Sequence, residues 1–230
     1  MMKKNISVLM SIYNDEKNVR SAIESILNQT YEKFELLLLD DFSTDNTYAI
    51  CNEYLKKDKR IKLYRNKKNI GLTKSLNKLA ANSTGLYLAR QDSDDVSYLN
   101  RLDEQFNFLN DSNYDACTTL AKIKNKDKVI PNISKYIKPS LTIKFKNPFI
   151  HGTLMIKRAA FENVGFYDEN FYYSQDYKLM KNLIENKYEV KIIKKVLYEL
   201  NMENNISSSH KEEQKYYADC VRKNKNPINI

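Results

Sequence analysis

The chain has 230 residues, 42% of them hydrophobic and 29% charged, which suits one globular domain with a sizeable core. Its formal net charge is +9, yet the lysines are dispersed and no zinc-finger, RRM or recognition-helix signature accompanies them, which argues against a nucleic-acid-binding module. Only 4 Gly and 4 Pro are present, the three cysteines (Cys51, Cys117, Cys220) lie far apart, and no apolar run approaches the roughly 18–20 residues that cross a bilayer, so linkers, a disulfide framework, a zinc cage and a membrane span are all disfavoured.

In chain order, residues 6–10 read as a buried strand, followed by a helix with Val19, Ile23, Ile26 and Leu27 on one face. Residues 34–39 form a second strand ending at Asp40-Asp41. Thr44 or Asp45 is placed to cap the next helix, whose stripe is Tyr48, Cys51, Tyr54 and Leu55. A third strand (61–64), a helix (73–81) and a fourth strand (86–89) follow, the last running to Asp92-Ser93-Asp94-Asp95. Alternation of this kind predicts a mostly parallel central sheet flanked by helices. Ligands of such sheets bind beyond the carboxyl ends of the strands, where the polar clusters fall.

Past a helix at 101–109 the pattern loosens. Strands are expected at 115–123, 153–156, 189–193 and 196–200, with helices from about Asp176 and over 209–223. No linker separates this half. The expectation is a single domain over 1–230, with residues 111–230 forming a mixed half ending in a C-terminal helix.

Three carboxylates at one strand end, Asp92, Asp94 and Asp95, repel one another unless solvated or neutralised by a cation. Mg²⁺ and Mn²⁺ commonly bridge one or two carboxylates to substrate phosphates, and a departing diphosphate needs such neutralisation. Taken alone, an acidic loop is usually just a solvated turn. A second charged feature spans Lys122 to Lys146, which holds eight lysines and one acid, Asp127. It reads either as a solvated face or as a surface attracted to an anionic bilayer or a phosphate-bearing acceptor.

Five separated stretches, in order, resemble the bacterial family-2 glycosyltransferases. They are Ser11-Ile12-Tyr13-Asn14-Asp15-Glu16, Asp40-Asp41-Phe42-Ser43-Thr44-Asp45 (Phe42 standing where Gly is usual) and Asn69-Ile70-Gly71-Leu72 through Asn77. Next come Asp92-Ser93-Asp94-Asp95 with Arg101-Leu102 and Gln105, and finally Gly165-Phe166-Tyr167-Asp168-Glu169 with Gln175-Asp176-Tyr177. The resemblance covers roughly residues 5 to 200.

It implies a GT-A, Rossmann-like fold with a nucleotide-sugar-binding half over 1–110 and an acceptor half beyond it. It implies an inverting, metal-dependent enzyme that moves a sugar from a UDP-sugar to a hydroxyl of a bacterial surface glycan or lipid-linked saccharide. Tyr13 would stack on the base with Ser11 nearby, Asp41 would accept from the uracil N–H, and Asn69 would lie near base or ribose. Asp94 and Asp95 would hold ribose and Mn²⁺ or Mg²⁺, Asp95 being the direct ligand and Asp92 the support. Asp176 would be the general base, with Gln175 before it where relatives often carry Glu, and His151 would line the pocket.

Where many relatives carry Arg-x-His, before a final Asn-Ile-Ser stretch, this chain has Leu200 and Met202. The third metal ligand that such a His can supply is therefore missing, and His210 lies further along. The expected setting is cytoplasmic, at the inner face of the cytoplasmic membrane. Two other readings stay open: a nucleotide-sugar-binding partner subunit without turnover, and a sugar-phosphate nucleotidyltransferase, which the lack of Gly in residues 11–16 opposes.

Overall fold

The computed structural model describes residues 5–203 and 210–228. Strands β1 (Ile6–Ile12), β2 (Phe34–Asp40), β3 (Ile61–Arg65) and β4 (Tyr87–Arg90) alternate with helices α1 (Val19–Leu27), α2 (Thr47–Lys57) and α3 (Leu72–Ala81). The short β5 (Val96–Ser97) and α4 (Arg101–Asn110) lead into β6 (Ala116–Ile123) and β7 (Val129–Ile130). After these come α5 (Pro139–Thr142), β8 (Met155–Lys157), α6 (Arg158–Asn163), α7 (Gln175–Glu185), β9 (Val190–Leu200) and α8 (Lys211–Arg222).

One sheet runs β3-β2-β1-β4-β8-β6-β9-β5, with β7 on β6. The long ladders, β1 with β2 and β4, β2 with β3, and β6 with β9, are parallel; the pairings of β8, β5 and β7 are short and antiparallel. This is the curled, mostly parallel sheet that the strand-helix alternation predicts.

Every residue of β2 is buried, as a parallel strand covered on both faces requires. Alternate side chains feed two cores. Ile6, Val8, Met10 and Ile12 pack with α1 and α2 on one face, while Leu9, Leu37 and Leu39 pack with α3 and α7 on the other. All three cysteines are buried free thiols. Glu35 points from β2 into the far end of the sheet from the acidic loop. Its Oε1 accepts from Ser7 Oγ (2.7 Å), Thr84 N (2.6 Å) and Thr84 Oγ1 (2.7 Å), and Lys62 Nζ pairs with Oε2 at 2.9 Å.

Three local expectations are corrected. Helix α2 buries Thr47, Ile50, Cys51 and Tyr54, while Leu55 is exposed and Tyr48 lies at the rim under Arg65. Its N-cap is Asn46, although the Asp45 carboxylate still accepts from Thr47 N at 2.9 Å. The two late strands are one, β9. Between its partners of Thr119 and Leu120 the register slips, and Lys194 and Lys195 turn to solvent instead of ending the strand. The final helix starts at Lys211; the expected Ser209 start and the Asn-Ile-Ser stretch lie outside the described residues.

Phe42 adopts φ +68°, a left-handed conformation, and its ring is exposed. That backbone is the reason Gly suits the position, since a Cβ there costs about 1–2 kcal/mol. Phe42→Gly is expected to raise stability by about 0.5–1 kcal/mol in urea denaturation, part of the relief being offset by the entropy of Gly. A loss of stability would mean that the ring contributes more than the strain removes.

Candidate active site at the carboxyl rim of the sheet

Because β1 lies between β2 and β4 in parallel register, the loops after all three emerge side by side. Ser11 is the penultimate residue of β1, and the half-exposed Tyr13 follows the strand. Beyond Tyr13 the first loop is laced to the second: Asn14 N donates to Ser43 Oγ (3.0 Å), and Asn14 Oδ1 accepts from Thr44 N (2.8 Å).

Asp41, the first residue past β2, is buried. Its carboxylate accepts from Asn66 Nδ2 (2.8 Å), Ile70 N (2.9 Å) and Gly71 N (2.8 Å). A carboxylate has about four acceptor positions, so these leave roughly one for a ligand N–H. Asn69 stays exposed, its Oδ1 accepting from Gly71 N at 3.2 Å. Gly71 sits at φ +86° under Tyr172, whose ring a Cβ would meet at 2.6 Å. The turn is thus gripped by Asp41 beneath and Tyr172 above.

The acidic loop carries the strongest electrostatic stress. Ser93 Oγ donates to Asp15 Oδ2 at 2.6 Å, which brings a fourth carboxylate beside Asp92, Asp94 and Asp95. Burial, reinforced by the charges of Asp92 and Asp15, pushes Asp94 up to about 7. Burial, with Asp92 and Asp94 beside it, pushes Asp95 up to about 9. Asp95 is 2% exposed and accepts from Asn201 N at 2.6 Å.

The loop's shape is set from below. Buried Arg90 pairs with Asp92, and fully buried Arg101 donates to Arg90 O (3.0 Å) and Gly152 O (3.3 Å). Gln91 Nε2 donates to the carbonyls of Asp92 and Asp95, each at 3.0 Å. Gly152 lies so close that a Cβ would fall 2.6 Å from Asp92 Oδ2 and 2.5 Å from the Tyr198 hydroxyl. Gln105 Nε2 donates to Thr153 O at 2.8 Å and so ties α4 to the same segment.

Among the described residues, no three His, Cys, Asp or Glu side chains converge into a cage for a metal ion. The donor set fits a hard divalent cation only as an open site, with carboxylate oxygens on one side and phosphate oxygens or water on the other. Asn201 N donates to Asp95, and the exposed Met202 that follows carries a thioether, a soft and poor ligand for Mg²⁺ or Mn²⁺. His210 packs on Tyr173 and faces Glu213 Oε1 at 3.4 Å; no contact joins it to Asp95 among the described residues.

Asp176 stands in the first turn of α7. The helix opens at buried Gln175 after Ser174, which has φ +53°. Asn147 Nδ2 donates to Asp176 Oδ2 at 2.7 Å, orienting the carboxylate and leaving Oδ1 without a hydrogen bond from this partner. His151 Nε2 meets the Tyr167 hydroxyl at 2.7 Å. Burial and the Arg90 charge push the imidazole down to about 4, so it is neutral at pH 7, although Asp176 and Asp92 pull the other way. The same three charges act on the buried Tyr167 phenol, which burial pushes well above the ordinary phenol value.

The charges of Asp176 and Asp92 therefore both act on His151 and Tyr167. Among the described residues no hydrogen bond joins Asp176 to Asp41 or Asp95. Sequence reasoning singled out neither Arg90, Tyr198 nor Asn147. A charged residue closing the apolar strand β4 immediately before an acidic loop was the available signal for Arg90; the other two had none.

A curled parallel sheet with an acidic loop at its carboxyl rim and a mixed second half is the GT-A glycosyltransferase fold. Residues 7–167 match the family model for Glycosyl transferase family 2, and Asp176 lies beyond the matched stretch. The chain is 38% identical over 169 residues to EpsE of Bacillus subtilis (strain 168), named as a glycosyltransferase, covering 70% of this chain and 59% of that relative. It is 33% identical over 229 residues to the uncharacterized glycosyltransferase MJ1057 of Methanocaldococcus jannaschii, covering 94% and 78%. The chain belongs to glycosyl transferase family 2.

Two solved structures share the fold at low identity. Staphylococcus aureus TarS 1–349 in complex with UDP-GlcNAc has a TM-score of 0.77 and 22% identity, over 90% of this chain and 61% of that one. The mannosyltransferase PcManGT from Pyrobaculum calidifontis, in complex with GDP-Man and Mn²⁺, has a TM-score of 0.78 and 17% identity, over 97% and 66%.

Proposed function

We propose that the chain is an inverting glycosyltransferase that moves a sugar from a UDP-sugar to a hydroxyl of a bacterial surface glycan or lipid-linked saccharide. In this reading residues 1–110 hold the donor and 111–230 the acceptor within one domain. The observation that carries it is the burial and crowding of the carboxyl groups of Asp92, Asp94 and Asp95, which push Asp94 up to about 7 and Asp95 up to about 9, together with a separate carboxylate, Asp176, held by Asn147. Carboxylates so crowded favour a partner that brings cations and phosphate together.

Tyr13 would offer its ring to the base, with Ser11 beside it. Asp41 would use its remaining acceptor position for a ring N–H, which suits uracil, and Asn69 would face base or ribose. Asp94 and Asp95 would hold Mn²⁺ or Mg²⁺, with Asp92 locked by Arg90 as support; when bound, the ion neutralises charge developing on the departing diphosphate. On the opposite side Asp176 takes the proton of the acceptor hydroxyl as it attacks the anomeric carbon, so one displacement inverts that centre. Neutral His151 and Gln175 would line the approach, while Asn147 holds Asp176. TarS in complex with UDP-GlcNAc and PcManGT with GDP-Man and Mn²⁺ support donors and a metal of these kinds. Cytoplasmic placement fits a nucleotide-sugar donor, and no helix among the described residues is long and apolar enough to cross a membrane.

The second reading, a partner subunit that binds nucleotide-sugar without turnover, draws on Met202 at the third-ligand position. Titration with UDP, with Mn²⁺ and with EDTA, on wild type and Asp95→Asn, tests the proposal. Mn²⁺ is expected to tighten UDP binding about tenfold or more, and Asp95→Asn to remove that gain. Equal binding in EDTA would remove the metal role of Asp95, and no UDP binding under any condition would end the nucleotide reading. A screen for UDP-sugar hydrolysis separates enzyme from silent subunit.

A further inference from the structure

Between β7 and the β8 strand, residues 131–146 cross the surface as a 3₁₀ turn (Ile133–Tyr136) and the short helix α5. Their burial is inverted. Ser134 and Thr142 are buried, while Ile133 is 72% exposed, Tyr136 70%, Leu141 54% and Phe145 74%. Single apolar residues at a surface are ordinary, but a run of large ones in one short segment marks a binding surface.

The charge within the segment has one sign. Lys135, Lys138, Lys144 and Lys146 interleave the apolar side chains, and the sequence has no Asp or Glu between Asp127 and Glu162. The Lys135 and Lys194 ammonium groups stand 5.2 and 4.7 Å from the centre of the Tyr136 ring. The segment is fastened at its far end to the helix that carries Asp176: the Tyr177 hydroxyl donates to Ile143 O at 2.7 Å, and Asn147 holds Asp176 itself.

We propose that residues 133–146 dock on the anionic face of a lipid bilayer, with Ile133, Tyr136, Leu141 and Phe145 entering the headgroup boundary and the lysines meeting lipid phosphates. Lysine is depleted in the cores of protein–protein interfaces, whereas an apolar surface with unopposed lysines is complementary to an anionic membrane. Lysine stems can lie along the apolar side chains and keep their heads at the phosphate level. Docked in this way, the chain would carry Asp176 close to the bilayer surface. That last step rests on the proposed transfer reaction and narrows its acceptor to a hydroxyl presented on a lipid.

The test is cosedimentation of the chain with phosphatidylcholine vesicles, with and without about 30% phosphatidylglycerol, at low and high salt. Wild type is expected to bind the anionic vesicles at least about tenfold more tightly than the neutral ones, and to weaken with salt. The triple variant Ile133→Ser, Tyr136→Ser, Phe145→Ser is expected to lose about tenfold or more of that binding while keeping wild-type circular dichroism and UDP affinity. Replacing Lys135, Lys138, Lys144 and Lys146 by Gln should abolish the preference for anionic lipid.

Absence of vesicle binding by wild type, or equal binding by the triple variant, overturns the proposal. So does a concentration-dependent dimer that the triple variant dissociates without any vesicle binding, which would make the patch a chain–chain interface. Vesicle binding by a chain that fails to bind UDP would leave the docking surface standing and remove the nucleotide reading instead.

Discussion

Asp176→Asn is expected to bind UDP with unchanged affinity and to lose about 10²–10⁴-fold in kcat, the usual contribution of a positioned general base. The substitution keeps the size and the Asn147 contact but removes the group that can take a proton. The Asp176 carboxylate sits in the first turn of α7, where Asn147 Nδ2 holds it at 2.7 Å and its charge reaches His151. Separate measurement of UDP affinity by calorimetry and of turnover by product release distinguishes loss of chemistry from loss of the donor site. Unchanged turnover would remove Asp176 from the reaction, and a parallel collapse of UDP binding would show that its role is to shape the pocket.

Glu35→Ala is expected to cost about 3–5 kcal/mol of stability, the typical loss when one member of a buried ionic cluster is removed. The donors Ser7 Oγ, Thr84 N and Thr84 Oγ1 would lose their acceptor inside the sheet, while the partly exposed Lys62 can return to water. Since the cluster lies at the opposite end of the strands from the acidic loop, kcat of the folded variant should stay within a factor of about two of wild type.

The same residue sets a pH dependence. The Lys62 charge and the Ser7 and Thr84 hydrogen bonds outweigh the cost of burial and bring Glu35 down to about 2, from an ordinary value of 4.5. Between these values the unfolded chain binds the extra proton, so stability falls as pH drops from about 4.5 toward 2. Above about 4.5 the contribution is complete and of order 3 kcal/mol. Urea midpoints of wild type and Glu35→Gln at pH 7 and pH 3 check this: the gap between them should narrow at the lower pH, and a constant gap would refute the assignment.

Much of the fold was legible because hydrophobic periodicity is local. The continuous apolar run of β2 and the 3.6-residue spacing in α1 each reflect how a strand or helix must bury its own side chains. Where the pattern was broken by charge, it misled. Lys194 and Lys195 look like the end of a strand, yet β6 supplies pairing on either side and the backbone carries them outward as an irregularity. The buried stripe of α2 is Thr47, Ile50, Cys51 and Tyr54, one position back from the expected one, which leaves Leu55 at the surface and Tyr48 beside Arg65.

The candidate site divides along the same line. Asp92, Asp94 and Asp95 could be named from the sequence as a cluster of carboxylates at one strand end, and Asp41 and Asp176 from the family resemblance. Their electrostatic state could not. It depends on Asp15 reaching across through Ser93, on Arg90 and Arg101 packed beneath the loop, and on Asn201 and Tyr198 arriving from β9 more than a hundred residues later.

What the amino-acid order determined by itself was the set of elements and the acidic chemistry at their ends, because both arise from residues a few positions apart. The tertiary structure alone decided which carboxylates crowd together, which one is paired with arginine and which stands apart beside Asn147. Burial and charge–charge repulsion depend on distance in space, and the fold sets that distance.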